Sequence, residues 1–283
     1  MTTFTVTALP PLLAEATALV DASWLRWCTV LAIFGAIIYR QRSAVRWSRM
    51  ALEVAIAVTA YFAYFLVRGA TEGSRDEALA NARDIIALER NIGFYWEPRI
   101  QDLIIDHHAL VTVANWVYIW GHWPVIIAVG VWLYLHDTPR YIVFRNAFLI
   151  SGAIGLLIFM TYPVAPPRLA DADVIDTVTE YSYSYRALQP RALVNQYAAV
   201  PSLHFGWNLL LGIALFRELR SAVSKTLAVL LPLVMLFAIV ATANHFIFDA
   251  ITGALVALTG LAAAYHITPR IAGTWAHRVP KPA

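Results

Sequence analysis

The sequence has little charge and almost no cysteine. Only 14% of its 283 residues are Asp, Glu, Lys or Arg, whereas 60% are hydrophobic. An ordinary soluble domain of this length is more charged and less apolar, so the composition excludes that class and predicts a membrane protein. The single cysteine, Cys28, can form neither an internal disulfide nor a multi-cysteine metal site.

Positive charge is missing from the beginning of the chain. Residues 1–23 contain no Lys or Arg, so they lack the basic region of a signal peptide, and we expect no cleavable signal. Elsewhere the basic residues, which give a formal net charge of +3, are spread over several loops. This distribution is explained by membrane topology and argues against a nucleic-acid partner.

Apolar runs recur along the chain at lengths that suit a bilayer. A hydrocarbon core of about 30 Å requires roughly 20 apolar residues per helix. The runs predict an all-α polytopic transmembrane helix bundle, with residues 1–283 as a single membrane domain. Six to seven spans are expected: seven are preferred, and a count of six stays open because the first run contains Arg26 and the fifth is short. The seven lie at residues 24–40, 51–68, 110–135, 145–163, 203–217, 226–243 and 246–266.

Arginine and lysine occur in alternate loops. They follow the first span, the third span at Arg140 and Arg145, the fifth span at residues 217–225, and the last span. Since positive loops stay in the cytoplasm, the C-terminus is expected inside and, after seven crossings, the N-terminus outside. The chain is thus predicted to be an integral protein of the plasma membrane.

Two long loops then lie outside. Residues 69–109 include an apolar series with helical spacing, which predicts an interfacial amphipathic helix. The aromatic residues Phe94, Tyr95 and Trp96 follow it and favour the headgroup level. The second loop, residues 164–200, is too polar to cross the membrane.

Ionisable residues at the edge of a span are the first candidates for chemistry, because they are costly there. His245 and Asp249 are four residues apart at the outer start of the last span, where a helix places them on one face. Asp249 can then hydrogen-bond one ring nitrogen and leave the other as a nucleophile or base. A buried, mutually satisfied pair would show the same spacing.

Other candidates return to the same outer face. In VPSLHFGW, Pro201 suits the first turn of a helix, and His204 lies just inside that turn, where free amides bind anions. Arg168 in YPVAPPR has a guanidinium suited to phosphate, although an Arg that snorkels at a span end is an equal alternative. His122 lies beside Pro124, which should kink the third span; it lines a headgroup cavity or bonds a carbonyl freed there.

These segments resemble the type 2 phosphatidic acid phosphatase superfamily, whose signatures carry Arg-Pro, Pro-Ser-x-His and His-x-x-x-Asp. The resemblance covers residues 145–266, the expected phosphatase/phosphotransferase core. PSLH in place of the commoner PSGH, together with APPR and HFIFD, resembles the inositol phosphorylceramide synthase (inositolphosphotransferase) branch and its bacterial relatives.

The resemblance implies a role for each matching residue. His245 would be the nucleophile that forms a phosphohistidine, Asp249 its orienting partner and His204 the acid that protonates the leaving oxygen. Ser202 and Arg168 would bind the substrate phosphate. The mechanism implies neither a metal nor another cofactor.

One position departs from the family pattern. Phosphatase members have an Arg six residues before the second catalytic His, and this chain has Ile239 there. Another donor must then meet the charge of the transferring group, and Arg168 or Arg191 is available in the second outer loop.

The leading interpretation is an enzyme that takes a phospholipid or lipid-phosphate substrate in the bilayer and passes the phosphoryl or phospho-headgroup to an acceptor. If the acceptor is a lipid hydroxyl, the enzyme is a phosphotransferase. If the acceptor is water, it is a lipid phosphate or prenyl pyrophosphate phosphatase. A transporter or flippase would use the same ionisable residues as a pathway, but their clustering at one face argues against it. Vanadate haloperoxidases share related histidine chemistry but are soluble.

Overall fold

The computed structural model describes residues 45–71, 73–171, 173–182 and 195–276. The predicted first span at residues 24–40 and the candidate residue Arg191 lie outside these ranges. The chain divides into two compact units, residues 1–63 and 64–283. The described part of the first unit is the beginning of one helix, and the candidate site belongs to the second unit.

The described part of the chain is helical and contains no strands. In chain order the helices are α1 (Val45–Ala70), α2 (Arg75–Asn91), α3 (Glu97–Ile105), α4 (His108–Trp120), α5 (Trp123–His136), α6 (Thr138–Thr161), α7 (Pro167–Ala170), α8 (Thr177–Tyr181), α9 (Leu203–Glu218), α10 (Ala222–Ala241) and α11 (Ile247–Ala276).

Four of these helices are long and apolar enough to cross a membrane: residues Ser48–Ala70 of α1, all of α6, all of α10 and Ile247–Thr268 of α11. Helices α4 and α5 pass the same test only as a pair, which is bent by 50°. The described residues therefore contain four candidate spans, or five if the bent pair is one span. The higher predicted count depends on residues 24–40 and on α9, which has only 16 residues.

The kink predicted at Pro124 is confirmed. Helix α4 ends at Trp120, α5 begins at Trp123, and Pro124 occupies its first turn. Proline has no amide hydrogen to donate, so the hydrogen-bond ladder is interrupted there. His122 lies in the break between the two helices.

Helices α6, α9 and α11 pack closely because small residues line their contacts. A Cβ atom on Gly206 of α9 would lie 2.5 Å from the carbonyl oxygen of Gly253 in α11, and one on Gly260 would lie 2.8 Å from that of Ala147 in α6. Trp207 donates from Nε1 to Ser151 Oγ across the α6–α9 contact at 3.0 Å. Close backbone approach and hydrogen bonds between helices therefore help to hold α6, α9 and α11 together.

The segment around Val164 and the segment around Ala199, which both precede α9, lie side by side beneath α2. The amide of Val164 donates to the Tyr197 carbonyl at 2.7 Å, and the amide of Ala199 donates back to the Val164 carbonyl at 3.2 Å. The amide of Ala165 donates to the Ala78 carbonyl of α2 at 3.0 Å. The buried face of α2, with Ala78, Ala82, Ile85 and Ile86, covers this junction.

The buried side-chain amides of Gln101 and Asn115 attach the segment around α8 to helices α3 and α4. Gln101 of α3 exchanges hydrogen bonds with the backbone of Ile175, accepting from its amide at 2.7 Å and donating to its carbonyl at 3.0 Å. Asn115 of α4 does the same with Thr177, accepting from its hydroxyl and donating to its carbonyl, each at 2.8 Å. The loop that carries Asp176 is therefore fixed on both sides.

Candidate active site

The site begins at the turn between α10 and α11. Ala243 adopts a left-handed conformation with φ of 53°. The amides of Asn244 and His245 then both donate to the Ile239 carbonyl, at 3.0 and 3.1 Å, and close the end of α10. As a result His245 precedes α11, which begins at Ile247.

The predicted hydrogen bond between His245 and Asp249 is present. His245 Nδ1 lies 3.1 Å from Asp249 Oδ2 and 2.9 Å from the Ala199 carbonyl oxygen. Because both partners accept, Nδ1 carries the hydrogen and Nε2 keeps its lone pair. The geometry differs from the predicted helical face, because Asp249 folds back over the turn and also accepts the Phe246 amide at 2.9 Å.

His245 is neutral under ordinary conditions. The residue is 5% exposed. Burial, then the positive charge of Arg168 and, more weakly, that of Arg68, lower the pKa of His245 to about 3. A neutral imidazole with one bound hydrogen is the form that can act as a nucleophile.

His204 lies beside His245, with 5.8 Å between the ring centroids. It is the second residue of α9, as expected. Pro201, however, precedes the cap of that helix and is not in its first turn, because the cap is Ser202. The ring of His204 packs on those of Tyr118 and His122, with centroid distances of 4.8 and 4.2 Å.

His122 is nearer to the candidate site than its sequence context indicated. Its buried ring stacks on Trp207 with centroids 5.6 Å apart, and its Nδ1 lies 3.5 Å from Asn208 Nδ2. Asn208 in turn donates to the His204 carbonyl at 2.8 Å. The available sequence signal was the spacing of Tyr118 and His122, which are four residues apart just before Pro124.

Arg168 is joined to the turn that carries His245. Its Nη1 donates to Asn244 Oδ1 at 2.8 Å, its amide donates to the Ala243 carbonyl at 2.9 Å, and its Nε lies 3.3 Å from Asp176 Oδ2. Its side chain is 11% exposed. The guanidinium is thus held in one orientation near the candidate nucleophile and is not a snorkelling surface Arg.

Arg68, at the end of α1, is a second cation that the sequence reasoning missed. Its positive charge helps to lower the pKa of His245, and its Nη2 donates to the Asn195 carbonyl at 3.3 Å. Its place at the outer end of a predicted span was the available signal. Two arginines therefore contribute positive potential at His245.

Ser202 and Ile239, the two further positions that the sequence singled out, are both buried in the structure. Ser202 is fully buried, its hydroxyl accepts the Phe205 amide at 3.4 Å, and its amide donates to the Asp249 carbonyl at 2.8 Å. Ile239 is also fully buried, in an apolar cluster with Met235, Val240 and Ala250. The side chain at the position of the missing Arg therefore packs in the core.

Space for a polar group flanks α7, the short helix that carries Arg168. A cleft of about 310 Å³ is lined by Arg75, Leu79, Leu169, Gln196 and Tyr197. A second, of about 470 Å³, has Arg83, Arg90, Asn91 and Asp171 among its lining residues. In the described ranges, no group of three His, Cys, Asp or Glu side chains is arranged to hold a metal ion.

Comparison with known proteins identifies the family. A family model described as the PAP2 superfamily matches residues 83–263, well over half of the chain. Comparisons with curated proteins and with solved structures gave no match. The matched segment contains His204, His245, Asp249, Arg168 and Ser202. The chain therefore belongs to the PAP2 superfamily, and this membership indicates a phosphatase-like membrane enzyme of the lipid phosphatase or phosphotransferase type.

Proposed function

We propose that this chain is a membrane-embedded lipid phosphotransferase that acts through a phosphohistidine. It transfers a phosphoryl group or a phospho-headgroup, such as phosphoinositol, from a phospholipid to a lipid hydroxyl. The observation that carries the proposal is the setting of His245, whose Nδ1 is held by Asp249 and the Ala199 carbonyl while the His204 ring lies beside it.

The chemistry has two balanced steps. In the first, His245 Nε2 attacks phosphorus, the bond from phosphorus to the leaving oxygen breaks, and His204 gives that oxygen a proton. In the second, the acceptor oxygen attacks phosphorus, the phosphorus–nitrogen bond breaks, and His204 takes the acceptor's proton. Asp249 keeps the hydrogen on Nδ1 and stabilises the positive ring that forms during the attack.

Arg168 is proposed to bind the phosphate, together with Ser202 and Arg191. The contact of Arg168 with Asn244 supports this role, because it holds the guanidinium next to the turn of His245. Charge on the transferring group grows in the transition state, and a fixed cation stabilises it without reorganisation. The clefts beside α7 have room for a polar headgroup.

A lipid hydroxyl is favoured as acceptor on the resemblance of PSLH, APPR and HFIFD to the inositol phosphorylceramide synthase branch. The apolar surroundings of Ile239 agree with a site that dispenses with the Arg of phosphatase members. Hydrolysis by water, as in a lipid phosphate or prenyl pyrophosphate phosphatase, is the second candidate, and superfamily membership favours it equally. The site is proposed to lie on the outer face of the plasma membrane, in a bundle of six to seven spans.

The acceptor can be tested with purified protein in lipid. Headgroup-labelled phosphatidylinositol is supplied with a long-chain lipid alcohol, and the labelled products are separated. A new labelled lipid is expected, whereas labelled water-soluble phosphate products alone would defeat the transferase proposal in favour of hydrolysis. The variant His245→Ala should abolish both activities, and His266→Ala, at an exposed position on α11, is the matched control.

A further inference from the structure

Three carboxyl groups from different parts of the chain meet at the first turn of α11. The Ile247 amide donates to Glu97 Oε1 of α3 at 2.8 Å, and the Phe248 amide donates to Glu89 Oε1 of α2 at 2.7 Å. The amide before them, that of Phe246, donates to Asp249. Successive amides directly after His245 are thus held by three side chains, two of them from helices outside the predicted motifs.

These carboxyl groups are deeply buried. Glu89 is 2% exposed, and Glu97 and Asp249 are fully buried. Among the described residues, no amide, hydroxyl or cation donates to the second oxygens, Glu89 Oε2, Glu97 Oε2 and Asp249 Oδ1, and no Lys or Arg forms an ion pair with Glu89 or Glu97. Glu89 and Glu97 can therefore hydrogen-bond each other only when one of them is protonated. One negative charge suits a helix N-terminus, but three buried charges repel one another and lose their hydration.

The protonation of the two glutamates follows from this crowding. Burial, and then the charge of Glu97, raise the pKa of Glu89 to about 9. Burial also raises the pKa of Glu97. The titratable groups that face Glu89 are Glu97 from α3 and Asp249 from α11, and those that face Glu97 are Glu89 and Asp249. The pair of Glu89 and Glu97 therefore carries a proton at neutral pH.

We propose that Glu89 and Glu97 are positioning residues that share one proton and hold the first turn of α11, and with it His245, in the reactive arrangement. The inference rests on the proposed function for its catalytic consequence. The proton is the essential part, because a second full charge would push the carboxyl groups apart and release the amides of Ile247 and Phe248. The turn that orients His245 would then lose two of its anchors.

The test compares two substitutions of each glutamate in the full chain. In Glu89→Gln, the side-chain oxygen still accepts the Phe248 amide and the NH₂ group replaces the shared proton, whereas Glu89→Ala removes both. We expect Glu89→Ala to lower kcat for consumption of phosphatidylinositol about tenfold or more, with KM changed less than about twofold. Glu89→Gln should restore most of kcat. Glu97→Ala and Glu97→Gln should differ in the same way.

The pH profile separates this role from general packing. The wild-type kcat should fall above about pH 9, where the shared proton is lost, and Glu89→Gln should not show that decline. The control Glu77→Gln, on the exposed side of α2, should keep it. A decline that persists unchanged in Glu89→Gln would overturn the proposal.

Hydrogen–deuterium exchange gives a readout that does not depend on turnover. The amides of residues 246–249 should exchange faster in Glu89→Ala and Glu97→Ala than in the wild type, and Glu89→Gln should stay close to the wild type. Unchanged exchange in both Ala variants would contradict the positioning role. If the wild type consumed no phospholipid, the proposed function would fail, and the exchange measurement would still decide whether the carboxyl pair holds the turn.

Discussion

The amide of Ser202 donates to the carbonyl oxygen of Asp249 at 2.8 Å, and this hydrogen bond joins the segments that carry His204 and His245. Ser202 caps α9 immediately before His204, and Asp249 lies in the first turn of α11 after His245. The relative position of the two histidines therefore depends on how closely α9 and α11 approach. Gly206 and Gly253 permit that approach.

Gly253→Ala should destabilise the protein and separate the histidines. A Cβ atom there would collide with the Ser202 carbonyl group, which belongs to the backbone and has little freedom to move. We expect a loss of about 1–3 kcal/mol in the free energy of unfolding, as for other overpacked sites. Thermal unfolding in detergent measures the loss.

The matched control for that substitution is Gly130→Ala in α5. A Cβ atom at Gly130 has no neighbouring atom within 4 Å. Because alanine favours a helix more than glycine does, the control should be neutral or more stable by up to about 1 kcal/mol. Equal destabilisation of both variants would show that close approach at Gly253 is unimportant.

Asp249→Asn should reduce turnover far more than substrate binding. The neutral amide removes the negative charge beside His245 Nδ1 that would stabilise the positive ring formed in the attack, although the Ala199 carbonyl still accepts the Nδ1 hydrogen. We expect kcat to fall on the order of 10²- to 10⁴-fold, as when an orienting carboxylate is removed from a general-base histidine. Steady-state kinetics with a lipid donor would check this, and a variant with kcat near wild type would refute the proposed role of the Asp249 charge.

Asn244→Ala should weaken the contribution of Arg168 without removing its charge. The guanidinium loses its 2.8 Å hydrogen bond to Asn244 Oδ1, although its contact with Asp176 remains. Because hydrogen bonds to charged groups contribute about 1.5–3 kcal/mol, kcat/KM should fall about tenfold or more. Asn146→Ala, which removes an amide that contacts Thr268, is the control and should keep kcat/KM.

Arg168→Gln should move the acid limb of the activity profile to higher pH. The positive charge of Arg168 helps to lower the pKa of His245 to about 3, so its removal raises that pKa. Activity at pH 4–5, relative to each protein's own maximum, should then be lower in the variant. The exposed Arg99→Gln is the control; a shift in the control, or none in Arg168→Gln, would contradict the electrostatic role.

The lowered pKa of His245 also makes the stability of the folded protein depend on pH. The pKa of His245 is about 3 in the folded protein, against 6.5 as its ordinary value. Between these two pH values His245 binds a proton in the unfolded chain but not in the folded protein. The contribution of neutral His245 to the free energy of unfolding is therefore complete above about pH 6.5 and is lost as pH falls towards 3. Unfolding curves of the wild type and of His245→Gln should converge over that window.

The sequence alone determined the membrane class and the helical architecture, and it singled out His245 and Asp249 as the candidate pair. Composition and apolar run length specify helices that cross a bilayer, because unpaired backbone groups cannot be left in hydrocarbon. The His245–Asp249 spacing predicted their hydrogen bond, and Pro124 predicted the kink beside His122. These features are local: each depends on residues within a few positions of one another.

Only the tertiary structure decided which distant groups surround that pair. His245 precedes its helix, and the left-handed turn at Ala243 brings it to the Ala199 carbonyl. The stack of Tyr118, His122 and His204 joins separate helices. Glu89 and Glu97 reach the first turn of α11 from more than a hundred residues away, at separations of 159 and 150. No local pattern encodes such contacts, because they arise from the packing of helices that are remote in sequence.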